Sequence, residues 1–225
     1  MISDKLREQT NRFAKEIQAL LNGTIASHVQ MKAVAIPARG DDRLFALGHL
    51  IDKSMAARRF RLKPKAPKAE LWMDVRFQLR LDAEREHLMV QQSFFGIFGS
   101  EDARHGLFHY DYERDKADGY PDAHLQVNAD SAMFATLNDP REDPGRPLAK
   151  LHFPVGGKRF RPCLEDVIEF LIVERLVERR DGYEKVLEAG REGFRRNQLL
   201  AAMRRDPGAV EAFVDRYGLP GAVPG

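Results

Sequence analysis

The sequence predicts an α+β fold: a curved antiparallel sheet of about five or more strands, one face covered by helices, with an N-terminal helix and a helical C-terminal tail. Three observations carry this. In "ELWMDVRFQLRLD" the residues Leu71, Met73, Val75, Phe77, Leu79 and Leu81 alternate with Trp72, Asp74, Arg76, Gln78, Arg80 and Asp82, the two-residue period of a half-buried strand. Short runs of strand character then follow one another, separated by segments rich in Asp, Gly and Pro. From Leu164 onward the period becomes helical.

The first element is a helix. Ile2, Leu6, Phe13, Ile17, Leu20 and Leu21 recur at spacings of a helical stripe, and Gly23 is its expected stop. Residues 24–69 are ambiguous: "VQMKAVAI" suits a strand, while "DDRLFALGHLIDKSMAAR" fits a short helix or a strand pair equally. After the alternating strand, "AERE" suits a turn, and "HLMVQQSFFGIF" supplies an antiparallel partner that Gly96 and Gly99 are expected to bulge or bend near its end. The runs "GLFHYDYE", "AHLQVNA" and "AKLHF" complete a meander of about five strands. Leu164, Val167, Ile168, Phe170, Leu171 and Ile172 then make a helix apolar around much of its circumference, with Pro162 near its start and Glu165 and Asp166 in its first turn. Such a helix belongs against the sheet. A charged helix runs on to about Arg205, and "DPGAVEAFVDRYG" opens on a cap-and-proline signal. "RDGYE" marks the one boundary, dividing a sheet domain of residues 1–180 from a helical tail of residues 181–225 packed on it.

Composition narrows the classes. A chain of 225 residues, 43% hydrophobic and 31% charged, is expected to be globular and soluble, and no apolar run approaches the ~20 residues of a membrane span. The charged N-terminus lacks the apolar stretch of a secretory signal, so a cytoplasmic location is expected. Cys163 is the only cysteine, which excludes an intramolecular disulfide, and its place at the start of a helix reads as buried rather than nucleophilic. A net charge of +2 does not by itself imply nucleic acid, so any such contact must rest on local clusters.

Alternation also sorts the polar residues. With Phe108, Tyr110 and Tyr112 facing the core, His109 and Asp111 face away; with Leu125 and Val127 inward, His124, Gln126 and Asn128 face out; with Leu151 and Phe153 inward, so does His152. Three histidines and an aspartate thus fall on one face of three successive strands. Such a set is suited to general acid and base work on phosphodiesters or esters. Three imidazoles and a carboxylate are also a coordination set for a divalent metal, and hydrophilic residues are what the solvent face of any sheet requires. The candidate catalytic residues are His109, Asp111, His124 and His152; no metal site and no cofactor is assigned.

Anion or nucleic-acid contacts are expected in two basic clusters. "PVGGKRFRP" places a turn at Gly156 and Gly157, then Lys158, Arg159 and Arg161 before a helix N-terminus, without the pattern of a Walker loop. "RRFRLKPKAPK" contributes Arg58, Arg59 and Arg61 on what its two prolines make an extended arm. A third run, "GFRRNQLLAAMRR", lies in the tail; in the first two, aromatic rings among the charges are limited to Phe60 and Phe160. The clusters support contact with RNA or DNA, although charged faces are most often simply solvated.

The blocks "FHYDYERD", "YPDAHLQVNAD" and "LHFPVGGKRFRPCLEDVIEFLIVE", within residues 105–180, resemble a widespread bacterial protein group and, more faintly, TumE-type toxins of toxin–antitoxin pairs. The toxin resemblance rests on the strand carrying Tyr110 and Asp111, on His124 and on the late strand-to-helix joint; the long N-terminal half and the helical tail depart from it. It implies an antitoxin partner and interference with RNA or another central process. Two classes therefore stand side by side. One is a toxin-like, RNA-directed enzyme or defence component, whose histidines must converge. The other is a non-catalytic interaction or regulatory module that recruits a partner, or a second copy as a homodimer, through its terminal helices.

Overall fold

The computed structural model describes residues 2–37, 44–115, 119–129, 151–156 and 161–218. Helix α1 (Ile2–Thr24) precedes strands β1 (Met31–Ile36), β2 (Leu44–His49), β3 (Phe60–Leu62), β4 (Leu71–Leu81), β5 (Leu88–Phe98), β6 (Phe108–Glu113), β7 (Ala123–Val127) and β8 (Phe153–Pro154), and helices α2 (Leu164–Val173), α3 (Tyr183–Arg205) and α4 (Pro207–Tyr217) follow. The architecture is α+β. All eight strands form one open antiparallel sheet in the order β1-β2-β4-β5-β6-β7-β8, with β3 pairing β4 beyond the end of β2. Strands β4 to β7 are the first four of the expected meander, whereas β8 shares only Phe153 with the expected run "AKLHF", and that ring is exposed rather than turned into the core.

Alternation decides which face is buried. Leu71, Met73, Val75, Phe77 and Leu79 of β4, Phe95 and Ile97 of β5, and Leu47 of β2 point to one side and join the core. That side is closed by Ala14, Ile17, Leu20 and Leu21 of α1 and by Leu164, Val167, Ile168, Leu171 and Ile172 of α2. Ring contacts at 5.1 Å between Phe13 and Phe77 and at 5.7 Å between Phe108 and Phe170 tie the two helices to opposite halves of the sheet.

Among its described residues the ambiguous segment 24–69 contains three strands. β2 hid its type because all of Phe45–His49 is buried, which erases the alternation that marks a strand. The basic run from Arg58 is no free arm. Phe60 and Leu62 are buried against β4 with Arg61 turned outward, and Pro64 bridges to Val177 while the Glu178 N–H donates to Lys63 O at 2.8 Å. The irregularity of β5 also lies elsewhere than expected: register slips between Gln78 and Leu79, which leaves Gln91 of β5 without an opposite residue, whereas Gly96 pairs regularly with Asp74. The glycine serves another purpose, since a Cβ at residue 96 would lie 2.6 Å from the Phe94 ring and 2.7 Å from that of Phe98.

Helix α3 is anchored to the sheet's core and to α2. Leu187 of α3 is buried in the common core, and Arg191 donates to Asp166 at 2.9 Å and to Glu169 at 2.6 Å on α2. Asp166 also caps α2, accepting from the Cys163 N–H at 2.9 Å and from its thiol at 3.1 Å. Burial pushes the Asp166 carboxyl up, but these donors together with Arg191 outweigh it and hold the group below its ordinary value. Further along, Asp206 accepts from the Ala209 N–H at 3.0 Å and starts α4. Among the described residues no helix is long and apolar enough to cross a membrane.

Candidate functional site

The face opposite the core carries two side-by-side rows of residues. Register aligns Arg76, Phe94, Asp111, His124 and Pro154 across β4 to β8, and the adjoining row aligns Asp74, Gly96, His109 and Gln126. Because neighbouring strands lie about 4.8 Å apart, residues of one row on adjacent strands are in side-chain contact. His152, one residue before β8, completes the set.

The four expected residues come together. The His124 and His152 rings meet edge to face at 4.5 Å, and the Tyr120 ring lies 4.2 Å from that of His152. His124 Nε2 is 3.9 Å from Asp111 Oδ2, an ion pair when the imidazole is protonated, and its Nδ1 lies 3.4 Å from the Pro121 carbonyl oxygen. His124 is only 2% exposed, so within this cluster it holds its neighbours rather than meeting solvent. His109 packs on Phe94 at 5.0 Å and hydrogen-bonds the Gln126 side chain. Burial lowers the His109 pKa; Gln126 and Asp111 pull it up, while His152 and Arg76 reinforce the fall. The neutral ring is therefore favoured, a proton acceptor near pH 7. Among the described residues no three His, Cys, Asp or Glu side chains form a group that could hold a metal ion.

The basic residues divide. Lys158 and Arg159 lie outside the described residues. Arg161 is 8% exposed, its guanidinium 3.9 Å from the centre of the Tyr112 ring, so it serves the packing of the core-facing tyrosine. Arg59 stacks 3.4 Å above Phe98 and donates to the carbonyls of Glu101 at 2.6 Å and Ala103 at 2.9 Å, which fixes the turn after β5. Arg61 pairs with Glu70 at 3.6 Å on an exposed edge, and Arg58 is exposed. Cys163 is buried, and burial, with Glu165 and Asp166 adding to it, pushes its thiol pKa far up, the opposite of an activated nucleophile.

Sequence reasoning passed over Asp74, Arg76, Phe94 and Tyr120. The first two were read only as the polar half of an alternating strand. Phe94 offered a signal: an aromatic residue standing two before a glycine on the polar face of its strand. Arg76 lies over that ring at 4.4 Å, which brings a cation to the border of the histidine cluster.

Comparison with models of known families, with curated proteins and with solved structures gives no match for this chain.

Proposed function

We propose that this protein is a toxin-like, RNA-directed enzyme that cleaves a phosphodiester by acid–base chemistry at the histidine cluster. One observation carries the reading: His109, Asp111, His124 and His152 meet on the non-core face of three neighbouring strands, with two imidazoles 4.5 Å apart. His109, favoured in its neutral form, takes the proton of a ribose 2′-hydroxyl. The freed oxygen attacks phosphorus, the bond from phosphorus to the 5′-oxygen breaks, and His152, as general acid, gives a proton to that leaving oxygen. The products are a 2′,3′-cyclic phosphate and a 5′-hydroxyl end. His124 and Asp111 are positioning residues that fix the His152 ring. Arg76 lends positive charge beside the reacting phosphate.

The test is incubation of the purified protein with single-stranded RNA and sequencing of the ends, beside growth of cells on induction. Cleavage with cyclic-phosphate ends, and growth arrest, both abolished in folded His109→Gln and His152→Gln variants, are the expected results. Equal growth of all three strains and intact RNA would overturn the enzyme reading.

A second reading has its own observation. Leu199, Leu200 and Met203 of α3 and Phe213 and Tyr217 of α4 are exposed, Tyr217 by 65%. This supports a module that binds a protein, an antitoxin or a second copy, through the C-terminal helices. On α1, by contrast, Phe13, Ile17, Leu20 and Leu21 are packed into the chain's own core. Light scattering of the wild type beside Leu199→Glu tests the homodimer: one mass for both, equal to a single chain, would remove it.

A further inference from the structure

A polar cleft of about 400 Å³ opens on the same face as the histidines, lined by Arg58, Arg59, Asp74, Arg76, Glu101 and Asp102. Its size is that of a small-molecule site, which spans roughly 300–1,000 Å³. Asp74 is its most buried polar residue, 6% exposed, and among the described residues its only side-chain partner is Arg76 Nε, 3.2 Å from Oδ1. An ionised carboxylate offers about four acceptor positions, and one left short of donors away from water is costly. Burial accordingly raises the Asp74 carboxyl above its ordinary value, although Arg76 and Arg59 pull the other way. A ligand with two adjacent N–H donors would complete it.

We infer that this cleft is a base subsite selective for guanine, next to the phosphodiester held by the histidine cluster; the inference rests on the RNA reading proposed above. Guanine alone among the four RNA bases presents two neighbouring donors, N1–H and the N2 amino group, on its pairing edge. Adenine and cytosine set one donor beside an acceptor, and uracil sets one between two carbonyls. Flat guanidinium planes on which a base can lie are already in place, because Arg76 is held over Phe94 at 4.4 Å and Arg59 over Phe98 at 3.4 Å. The carboxylates of Asp74, Glu101 and Asp102 balance the guanidinium groups of Arg58, Arg59 and Arg76, so the cleft has no net charge to draw a phosphate into it. Register puts Gly96 between Asp74 and His109, and the Phe94 and Phe98 rings lie over that glycine, so the way from the cleft to the cluster runs across two aromatic rings. Two strand spacings, about 10 Å, separate those two backbones, within the reach of one nucleotide from base edge to phosphate.

Calorimetry on the full chain with the 3′-monophosphates of guanosine, adenosine, cytidine and uridine tests this without requiring cleavage. Guanosine monophosphate should bind at least about tenfold more tightly than the others, as a bidentate contact provides. Asp74→Asn, checked for an unchanged melt, should remove the preference. Equal affinities, or no binding by any of the four, overturn the inference, and this wild-type result stands whether or not the variant folds. Mapping of cleavage on RNA separates the two proposals. Cleavage without guanine preference sinks the subsite and leaves the enzyme; guanine-selective binding without cleavage does the reverse.

Discussion

The two faces of the sheet are made of the same strands and follow opposite rules. On the core side, Met73, Val75, Leu79, Ile97, Ile168 and Leu171 are fully buried apolar groups, interchangeable in kind so long as their volume is kept. On the other side, buried or half-buried residues are polar and specific: Asp74, His109, Asp111, His124 and Gln126, interleaved with two phenylalanines under guanidinium groups. A solvated face has no need to bury a histidine to 2% or an aspartate to 6%. Polar groups taken out of water cost stability unless paired, so their concentration there separates this face from a merely wet one.

Substitutions should separate the faces in what they damage. The largest effect is expected at His109 and His152, where replacement by Gln should lower RNA cleavage about 10²- to 10⁴-fold, the usual worth of a general acid or base. The melting temperature should fall much less than on truncation in the core. The core reverses this pattern: Leu171→Ala should cost about 2–5 kcal/mol of unfolding free energy in a denaturant titration, with activity per folded molecule unchanged. A loss of stability at His109 as large as that at Leu171 would erase the contrast.

Titration sharpens it further. His109 must be neutral to accept a proton, and burial lowers its pKa, so the acid limb of the rate profile should fall below the ordinary imidazole value of 6.5. In the fold the same shift favours the neutral ring. Its contribution to stability is therefore present above pH 6.5 and lost as pH falls through the folded value. An acid limb above 6.5 would assign the base elsewhere.

A smaller effect belongs to the joint between α2 and α3. Asp166→Ala removes the cap and one partner of Arg191, and should cost about 1 kcal/mol at neutral pH. Since the Asp166 carboxyl is held low in the fold, its contribution is present above the ordinary carboxylate range and lost as pH falls through the folded value. Thermal melts of wild type and variant should accordingly converge in strong acid. Smallest of all, Leu199→Ser on the exposed flank of α3 should stay within about 0.5 kcal/mol.

What the sequence revealed follows from the same division. β4 was legible because one face is buried and the other polar, and that alternation also put His109, Asp111, His124 and His152 on a shared face. β2 was illegible because it is buried throughout, and β8 is only two residues long, too short to set a period. Convergence itself could not be read, since it depends on the register Asp111↔His124 and His124↔Pro154, which a slip of two residues would have undone. The arginines misled for a related reason. Arg59 and Arg161 look alike as charges in a run, but each is stacked on a ring contributed by a strand distant in sequence. Asp74 was passed over because a polar residue between two apolar ones in β4 signals only a face, not how deeply that face is covered.

The placement of α2 has a consequence for the birth of the chain. Strands β4 to β7 leave the ribosome well before Val167, Ile168 and Leu171, the residues that close half of the core, and Leu187 comes later still. For that interval a wide apolar sheet surface waits uncovered, with only α1 to shield it, because the helices that complete the core come last in the chain. Nascent chains of this kind fold late and are prone to aggregate before they do. Truncation before residue 164 should accordingly yield insoluble material, and a ribosome stalled there should carry a chain that recruits chaperones.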